Sequence, residues 1–136
     1  MALFSWSDDL SVGSKFIDDD HKKLVKLVND FHDAMEQGRA NDVIGKVLNN
    51  LLIYTREHFK REESEMQRIK YPRFLAHQQE HDKLIKEVVE LQNSFNSGKT
   101  MLSIKISKFL RDWLLTHIRQ TDQLLADALK KAGPAS

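Results

Sequence analysis

The chain has 136 residues, which is enough for one domain with a hydrophobic core. Its 21 basic and 20 acidic residues balance to a formal net charge of +1, and this argues against binding to nucleic acids or membrane surfaces. The absence of cysteine excludes disulfides, thiolate zinc sites and iron–sulfur clusters. Because no signal sequence or long apolar run is present, we expect a soluble cytoplasmic protein with no membrane insertion.

Four long segments carry apolar residues at helical spacing, and they follow an N-terminal arm that contains Phe4 and Trp6. We predict four helices, joined by short connections that contain glycine or proline, over residues 18–38, 42–70, 72–97 and 101–131. Such short connections join antiparallel neighbours.

The predicted fold is therefore all-α, an antiparallel up-down-up-down four-helix bundle with an N-terminal arm. We expect a single domain over residues 1–136, with the arm at 1–16, the bundle at 17–132 and a short tail at 133–136.

Histidines occupy positions where the apolar period of these helices calls for leucine. His21 lies as many residues before Gly38 as His58 lies after Asn41. At a rise of about 1.5 Å per residue, both histidines lie roughly 25 Å from the connection between their helices. They are therefore expected at the same level of an antiparallel pair.

The third and fourth helices repeat this spacing. His81 lies as far before Gly98 as His21 lies before Gly38, and His117 follows Met101 by nearly the same stretch. Glu62 reaches the same level across the connection between the second and third helices. One slab of the bundle is thus predicted to contain seven polar side chains: His21, His58, Glu62, His77, His81, His117 and Asp122.

A metal site explains this slab. Burying one unpartnered polar group costs about 1–3 kcal/mol, so seven would consume most of a typical stability of about 5–15 kcal/mol. Five imidazoles and two carboxylates exceed the needs of one ion and suit two ions that share bridging carboxylates. This ligand set is compatible with iron, manganese or zinc. The chain lacks the Glu-x-x-His motif of ferritin-like di-iron oxidases, which argues against that class.

Two of the helices contain pairs of candidate ligands four residues apart. His77 and His81 share one face of the third helix, as His58 and Glu62 share one face of the second. Glu63 lies about 100° further round the helix, and we expect it to face water.

The fourth helix is less regular. His117 and Asp122 are five residues apart, so in an α-helix their side chains point roughly 140° apart, and a solvated Asp122 is an open alternative. His32 lies nearly on the face of His21 but some 16 Å along the axis, and we interpret it as a structural or exposed residue.

These motifs together resemble the bacterial members of the hemerythrin family, over essentially the whole chain. The matching segments are Ile17-Asp18-Asp19-Asp20-His21, His58-Phe59-Lys60-Arg61-Glu62, His77-x-x-x-His81, and Trp113-Leu114-Leu115-Thr116-His117 with Asp122. One departure is Asp20, where many relatives carry glutamine. This is not a ligand position, so the departure leaves the metal site intact and bears on its local electrostatics.

The resemblance implies a centre of two iron ions with an oxo or hydroxo bridge. One iron would be held by His77, His81 and His117, the other by His21 and His58, with Glu62 and Asp122 bridging. The two-histidine iron would keep an open position for dioxygen.

The function implied is reversible dioxygen binding for transport or storage, without enzymatic activity. Oxygen or redox sensing, or the handling of iron, nitric oxide or peroxide, are the alternatives, and the identity of any oxygen-consuming partner protein stays open. A dry dioxygen pocket is predicted beside the ligands, although ordinary core packing also explains its apolar residues: Leu24, Phe59, Trp113, Leu114 and Ile118.

Overall fold

The structure is a computed structural model that describes residues 4–98 and 104–132. Within these residues there is no strand. The elements are a 3-10 turn at Asp8–Leu10, then α1 (Lys15–Glu36), α2 (Asn41–Arg68), α3 (Phe74–Asn96), α4 (Ile104–Thr116), a π-helical turn (His117–Asp122) and α5 (Gln123–Ala132). Because α4, the π-helical turn and α5 follow each other without a break, they form a single fourth rod.

The predicted all-α four-helix bundle is confirmed, with differences at the ends of the helices. The first helix begins at Lys15 and not at residue 18, because Ser14 is the last residue in the extended conformation. The third helix begins at Phe74 and not at residue 72, because the residues before it form the turn from α2. The predicted start of the fourth helix at 101 and the tail at 133–136 lie outside the described residues.

The turn between α2 and α3 sets the relative level of their histidines. Lys70 adopts a left-handed conformation with φ 54°. The amide of Tyr71 donates to the carbonyl of Met66 at 2.9 Å, and the amide of Lys70 donates to Gln67 at 3.2 Å. This hydrogen-bond pair is the Schellman motif, which ends a helix sharply and satisfies its last carbonyls.

The core runs the length of the bundle, with α1 packed on α2 and α4, and α2 packed on α3. Phe31 and Leu48 are fully buried at one end of the bundle, and Leu125 is fully buried near the other. Each such side chain contributes on the order of 1.5–3 kcal/mol through burial. This apolar packing provides the stability that a slab of polar side chains requires.

The N-terminal arm packs along α1. The amide of Phe4 donates to Asn29 at 3.2 Å, and Asn29 donates back to the carbonyl of Phe4 at 2.7 Å. Leu10 and Val12 are buried in the core. None of the described helices combines the length and the apolar character that a membrane span needs.

Candidate metal centre

The bundle brings all seven predicted ligand residues into one buried cluster, in which none is more than 2% exposed. Their ligand atoms form two groups, and within each group the atoms lie within 4.8 Å of one another. We name the first group the three-histidine position; it comprises Glu62, His77, His81, His117 and Asp122. We name the second the two-histidine position; it comprises His21, His58, Glu62 and Asp122. Glu62 and Asp122 belong to both groups.

The imidazoles of the three-histidine position direct their Nε2 atoms at one another. His117 Nε2 lies 3.3 Å from His77 Nε2 and 3.3 Å from His81 Nε2. The same His117 atom lies 3.0 Å from Asp122 Oδ1. Lone pairs that converge in this way repel each other unless a proton or a cation lies between them, so the arrangement suits a metal ion.

The two-histidine position is built around the other carboxylate oxygen of Asp122. His21 Nε2 lies 2.7 Å from Asp122 Oδ2, and His58 Nε2 lies 3.4 Å from Glu62 Oε1. Each shared carboxylate therefore faces both groups, which is the geometry that a pair of bridged ions requires.

The π-helical turn accounts for the five-residue separation of His117 and Asp122. The prediction that these side chains point apart assumed a regular α-helix, and that assumption is wrong, because residues His117–Asp122 are π-helical. Hydrogen bonds in a π-helix join residues five apart and bring such residues to the same side. As a result Asp122 is fully buried, and the alternative of a solvated aspartate is excluded.

Buried polar atoms without hydrogen bonds indicate that a cation belongs here. Within the described part of the chain, both carboxylate oxygens of Glu62, Oδ1 of Asp122 and Nε2 of His58 make no hydrogen bond. Burial and the neighbouring Asp122 raise the pKa of Glu62 well above its usual range. Two buried carboxylates this close favour a positive charge between them, and divalent metal ions supply it.

The protonation state of His81 also suits metal binding. Burial, reinforced by the nearby charge of His117, lowers the pKa of His81 to about 2. Its ring is therefore neutral at ordinary pH, which is the form that donates a lone pair to a metal ion.

Three further carboxylates lie beside the outer nitrogens of three of these histidines. The His81 Nδ1 atom lies 2.9 Å from Glu63, whose other oxygen accepts a hydrogen bond from Gln78. The prediction that Glu63 faces water is therefore wrong, since its side chain is only 21% exposed and packs between α2 and α3. Glu80 lies 3.5 Å from His117 Nδ1.

Asp20 is the third of these carboxylates and holds His58. His58 Nδ1 lies 2.8 Å from Asp20 Oδ2, and Arg61 donates to both oxygens of Asp20 at 2.8 and 2.9 Å. Tyr54 donates its hydroxyl to Asp20 at 2.8 Å. Burial alone would raise the pKa of Asp20, but the hydrogen bonds from His58, Arg61 and Tyr54 outweigh it and lower that pKa far below its usual range.

Sequence reasoning did not identify Glu63, Glu80, Tyr54 or Arg61 as partners of the site. Glu80 precedes His81 directly, and Glu63 follows Glu62, so proximity in sequence was the available signal. Their contacts depend on how neighbouring helices face each other, which spacing along one helix does not specify.

A small apolar cavity of about 30 Å³ adjoins the cluster. Of the five predicted pocket residues, Leu24, Phe59, Trp113 and Leu114 line it, whereas Ile118 is buried but does not. Phe59 stacks on His81 with ring centroids 3.7 Å apart, and Trp113 stacks on His117 at 4.4 Å. The aromatic rings therefore separate two imidazoles of the three-histidine position from the cavity's aliphatic interior.

The sixth histidine lies outside the cluster, as its position along α1 predicts. His32 is buried, its Nδ1 atom lies 2.7 Å from the Ser107 hydroxyl, and its Nε2 atom lies 3.3 Å from Glu36. These contacts give it a structural role that joins α1 to α4.

Comparisons with known proteins agree with this geometry. Residues 12–129 match the family described as the Hemerythrin HHE cation binding domain. The chain is similar to bacteriohemerythrin of Methylococcus capsulatus, with 39% identity over 95% of this chain and 98% of the relative. It is also similar to bacteriohemerythrin of Stenotrophomonas maltophilia, with 35% identity over 96% of this chain and 84% of the relative. A crystal structure of wild-type hemerythrin matches with a TM-score of 0.90 and 39% identity, covering 94% of this chain and 98% of that chain.

Proposed function

The chain belongs to the hemerythrin family, and on this basis we propose that it holds two iron ions and binds dioxygen reversibly at them. The observation that carries the proposal is the division of seven buried donors into two groups that share Glu62 and Asp122. One ion cannot use seven such donors, whereas two ions with shared carboxylates use all of them.

Each position would hold one iron through its own histidines. His77, His81 and His117 would hold the first, and His21 and His58 the second. A pair of irons supplies the two electrons that dioxygen takes up and later returns. Because the two-histidine position has one protein donor fewer, we propose that dioxygen binds there.

The surroundings favour binding over chemical turnover. The described residues that line the cavity beside the cluster are apolar apart from Thr55 and the indole N–H of Trp113. The hydroxyl of Thr55 donates to the carbonyl of Leu51 at 2.7 Å, so its proton is already engaged. Among the described lining residues none is a free acid or base that could assist cleavage of an oxygen–oxygen bond. We therefore propose an oxygen carrier or store and not an enzyme.

The test is an optical spectrum of the iron-loaded, reduced protein before air, after air, and after removal of oxygen. We expect an absorption band that appears with oxygen and disappears when oxygen is removed, together with two irons per chain by elemental analysis. Asp122→Ala serves as the control, because losing a shared carboxylate should prevent loading of two irons. One zinc per chain would contradict the proposed metal, and steady consumption of oxygen or peroxide would favour an enzyme.

A further inference from the structure

The outer nitrogens of three cluster histidines contact carboxylates, but these contacts differ in length and burial. The His58–Asp20 distance is 2.8 Å, and the Asp20 side chain is 12% exposed. The His117–Glu80 distance is 3.5 Å, and Glu80 is 48% exposed. The His81–Glu63 distance is 2.9 Å, and the Glu63 side chain is 21% exposed. The contact of His58 is thus the shortest and best shielded of the three, and it is the one at the two-histidine position.

Asp20 is surrounded by hydrogen-bond donors. Its Oδ2 atom accepts from His58 Nδ1 and Arg61 Nε, and its Oδ1 atom accepts from Tyr54 and Arg61 Nη2. Arg61 and Asp20 form a bidentate pair, which fixes the orientation of the guanidinium and of the carboxylate relative to each other. The Cζ atom of Arg61 lies 5.4 Å from the centroid of the Tyr54 ring, and this contact holds the guanidinium in place.

This arrangement determines which nitrogen of His58 carries the proton. Because Asp20 Oδ2 accepts a hydrogen bond from Arg61, it carries no proton and must also be the acceptor towards His58. The proton of the His58 ring therefore lies on Nδ1. The lone pair then lies on Nε2, which points toward Glu62 and makes no hydrogen bond within the described part of the chain. A carboxylate on the outer nitrogen also makes an imidazole more basic, and therefore a stronger metal ligand.

His21 has no such support. Its Nε2 atom faces Asp122, and its Nδ1 atom makes no hydrogen bond with the described residues. Of the two imidazoles at the two-histidine position, His58 is therefore the one that a carboxylate orients from its outer side.

We propose that Asp20 is a positioning residue for the two-histidine position, where it orients His58 and strengthens its donation to the metal ion. The inference rests on the proposed metal site but not on oxygen binding. It predicts that the charge of Asp20 tightens metal binding at one of the two positions and lowers the reduction potential of the iron there.

The central experiment compares the chain with its Asp20→Asn variant. Ferrous iron is titrated into each protein without oxygen, in competition with a chelator, and the reduction potential of the loaded protein is then measured. We expect about a 10–100-fold loss of affinity in one of the two binding steps, which is the usual effect of removing an outer partner of a histidine ligand. The reduction potential should rise. The longer amide in Asp20→Gln gives a second variant should the first fold poorly.

Glu63→Gln is the matched control, because it makes the same change from carboxylate to amide on the outer nitrogen of His81. It should weaken the binding step that Asp20→Asn leaves intact. Arg61→Gln separates electrostatics from packing: removing the neutralising guanidinium leaves Asp20 bonded to His58, so iron should bind at least as tightly as in the unmodified chain.

The outcomes are distinct. Equal iron affinity and equal potential in the chain and Asp20→Asn would overturn the inference while leaving the metal site in place. Parallel losses of affinity in the Asp20 and Arg61 variants, matching their losses of thermal stability, would also overturn it and assign Asp20 a packing role. Failure of the unmodified chain to bind two ions would instead contradict the proposed function.

Discussion

Leu114 and Ile118 lie one turn apart on the fourth rod, yet only Leu114 lines the cavity beside the metal cluster. We predict that Leu114→Ala speeds autoxidation of the oxygenated protein by about tenfold, because the smaller side chain admits water. A tenfold change in rate corresponds to a lowering of the activation barrier by ~1.4 kcal/mol. Ile118→Ala is the matched control and should change the rate much less. The measurement is the decay of the oxygenated absorption, with iron content checked in both variants. Equal decay rates in the two variants would show that Leu114 does not keep water from the site.

Tyr54 reports on the Asp20 network without any metal. Burial and the hydrogen bond to Asp20 raise the pKa of Tyr54 to about 12, above the ordinary value of about 10. The raised pKa favours neutral tyrosine in the folded protein. Its contribution to stability is therefore complete below about pH 10 and is lost as the pH rises through about 12.

The change that tests this is Asp20→Asn, which removes the negative charge that opposes ionisation. We predict that Tyr54 then ionises at a lower pH, closer to its ordinary value, although burial remains. Tyrosinate absorbance followed against pH measures the shift, and Tyr54→Phe identifies the signal, since the chain has only 2 tyrosines. An unchanged titration in Asp20→Asn would mean that the network does not persist in solution.

At the scale of elements, the turns between helices decide whether the ligand levels coincide. Gly38, with φ 64°, and Lys70, with φ 54°, both end helices in the left-handed conformation. Glycine adopts this conformation freely, whereas other residues lose on the order of 1–2 kcal/mol. Lys70 therefore carries strain that the hydrogen bonds of the turn maintain.

We predict that Lys70→Gly raises the free energy of unfolding by about 1 kcal/mol and that Gly38→Ala lowers it by a similar amount. An added Cβ at Gly38 would meet no atom within 4 Å, so the second effect is conformational and not steric. Urea unfolding of the metal-free protein measures both changes. A stabilising Gly38→Ala would show that this turn is not left-handed.

The π-helical turn is the second decisive element, since it changes the direction of side chains within an otherwise regular rod. Such turns are rare and are frequently found at functional sites. Here the turn brings His117 and Asp122 together in the three-histidine position, while α5 continues to bury Leu125 and Ala126 in the core. Local geometry is thus adjusted for the site without loss of packing on either side.

At the scale of the whole molecule, the buried cluster of polar side chains lowers the stability of the metal-free protein. Glu62 is fully buried, and its carboxylate oxygens make no hydrogen bond with the described residues. We predict that Glu62→Met makes the metal-free protein more stable by about 1–3 kcal/mol, while preventing the binding of two ions. Urea unfolding with and without ferrous iron measures both effects.

The stabilising effect of Glu62→Met should depend on pH in a direction that the pKa of Glu62 determines. The raised pKa of Glu62 means that this carboxyl keeps its proton in the folded metal-free protein at pH values where the unfolded chain has lost it, so the contribution of Glu62 to stability falls as the pH rises above about 4.3. The advantage of Glu62→Met should therefore grow with pH. If the variant is less stable than the unmodified protein at every pH, the cluster is satisfied without metal.

The sequence by itself determined the fold class and the common level of the seven cluster residues. Both depend on properties that are the same in every α-helix, a fixed rise and a fixed period, so counting from turns such as Gly38 places His21 and His58 at one height. Tertiary structure alone decided the rest. It decided the π-helical turn, the contact of Glu63 with His81 and the hydrogen bonds from Arg61 to Asp20. These features depend on how each helix is rotated about its axis and on which side chains neighbouring helices direct at one another. Those quantities follow from how the whole core packs, and no spacing along a single helix encodes them.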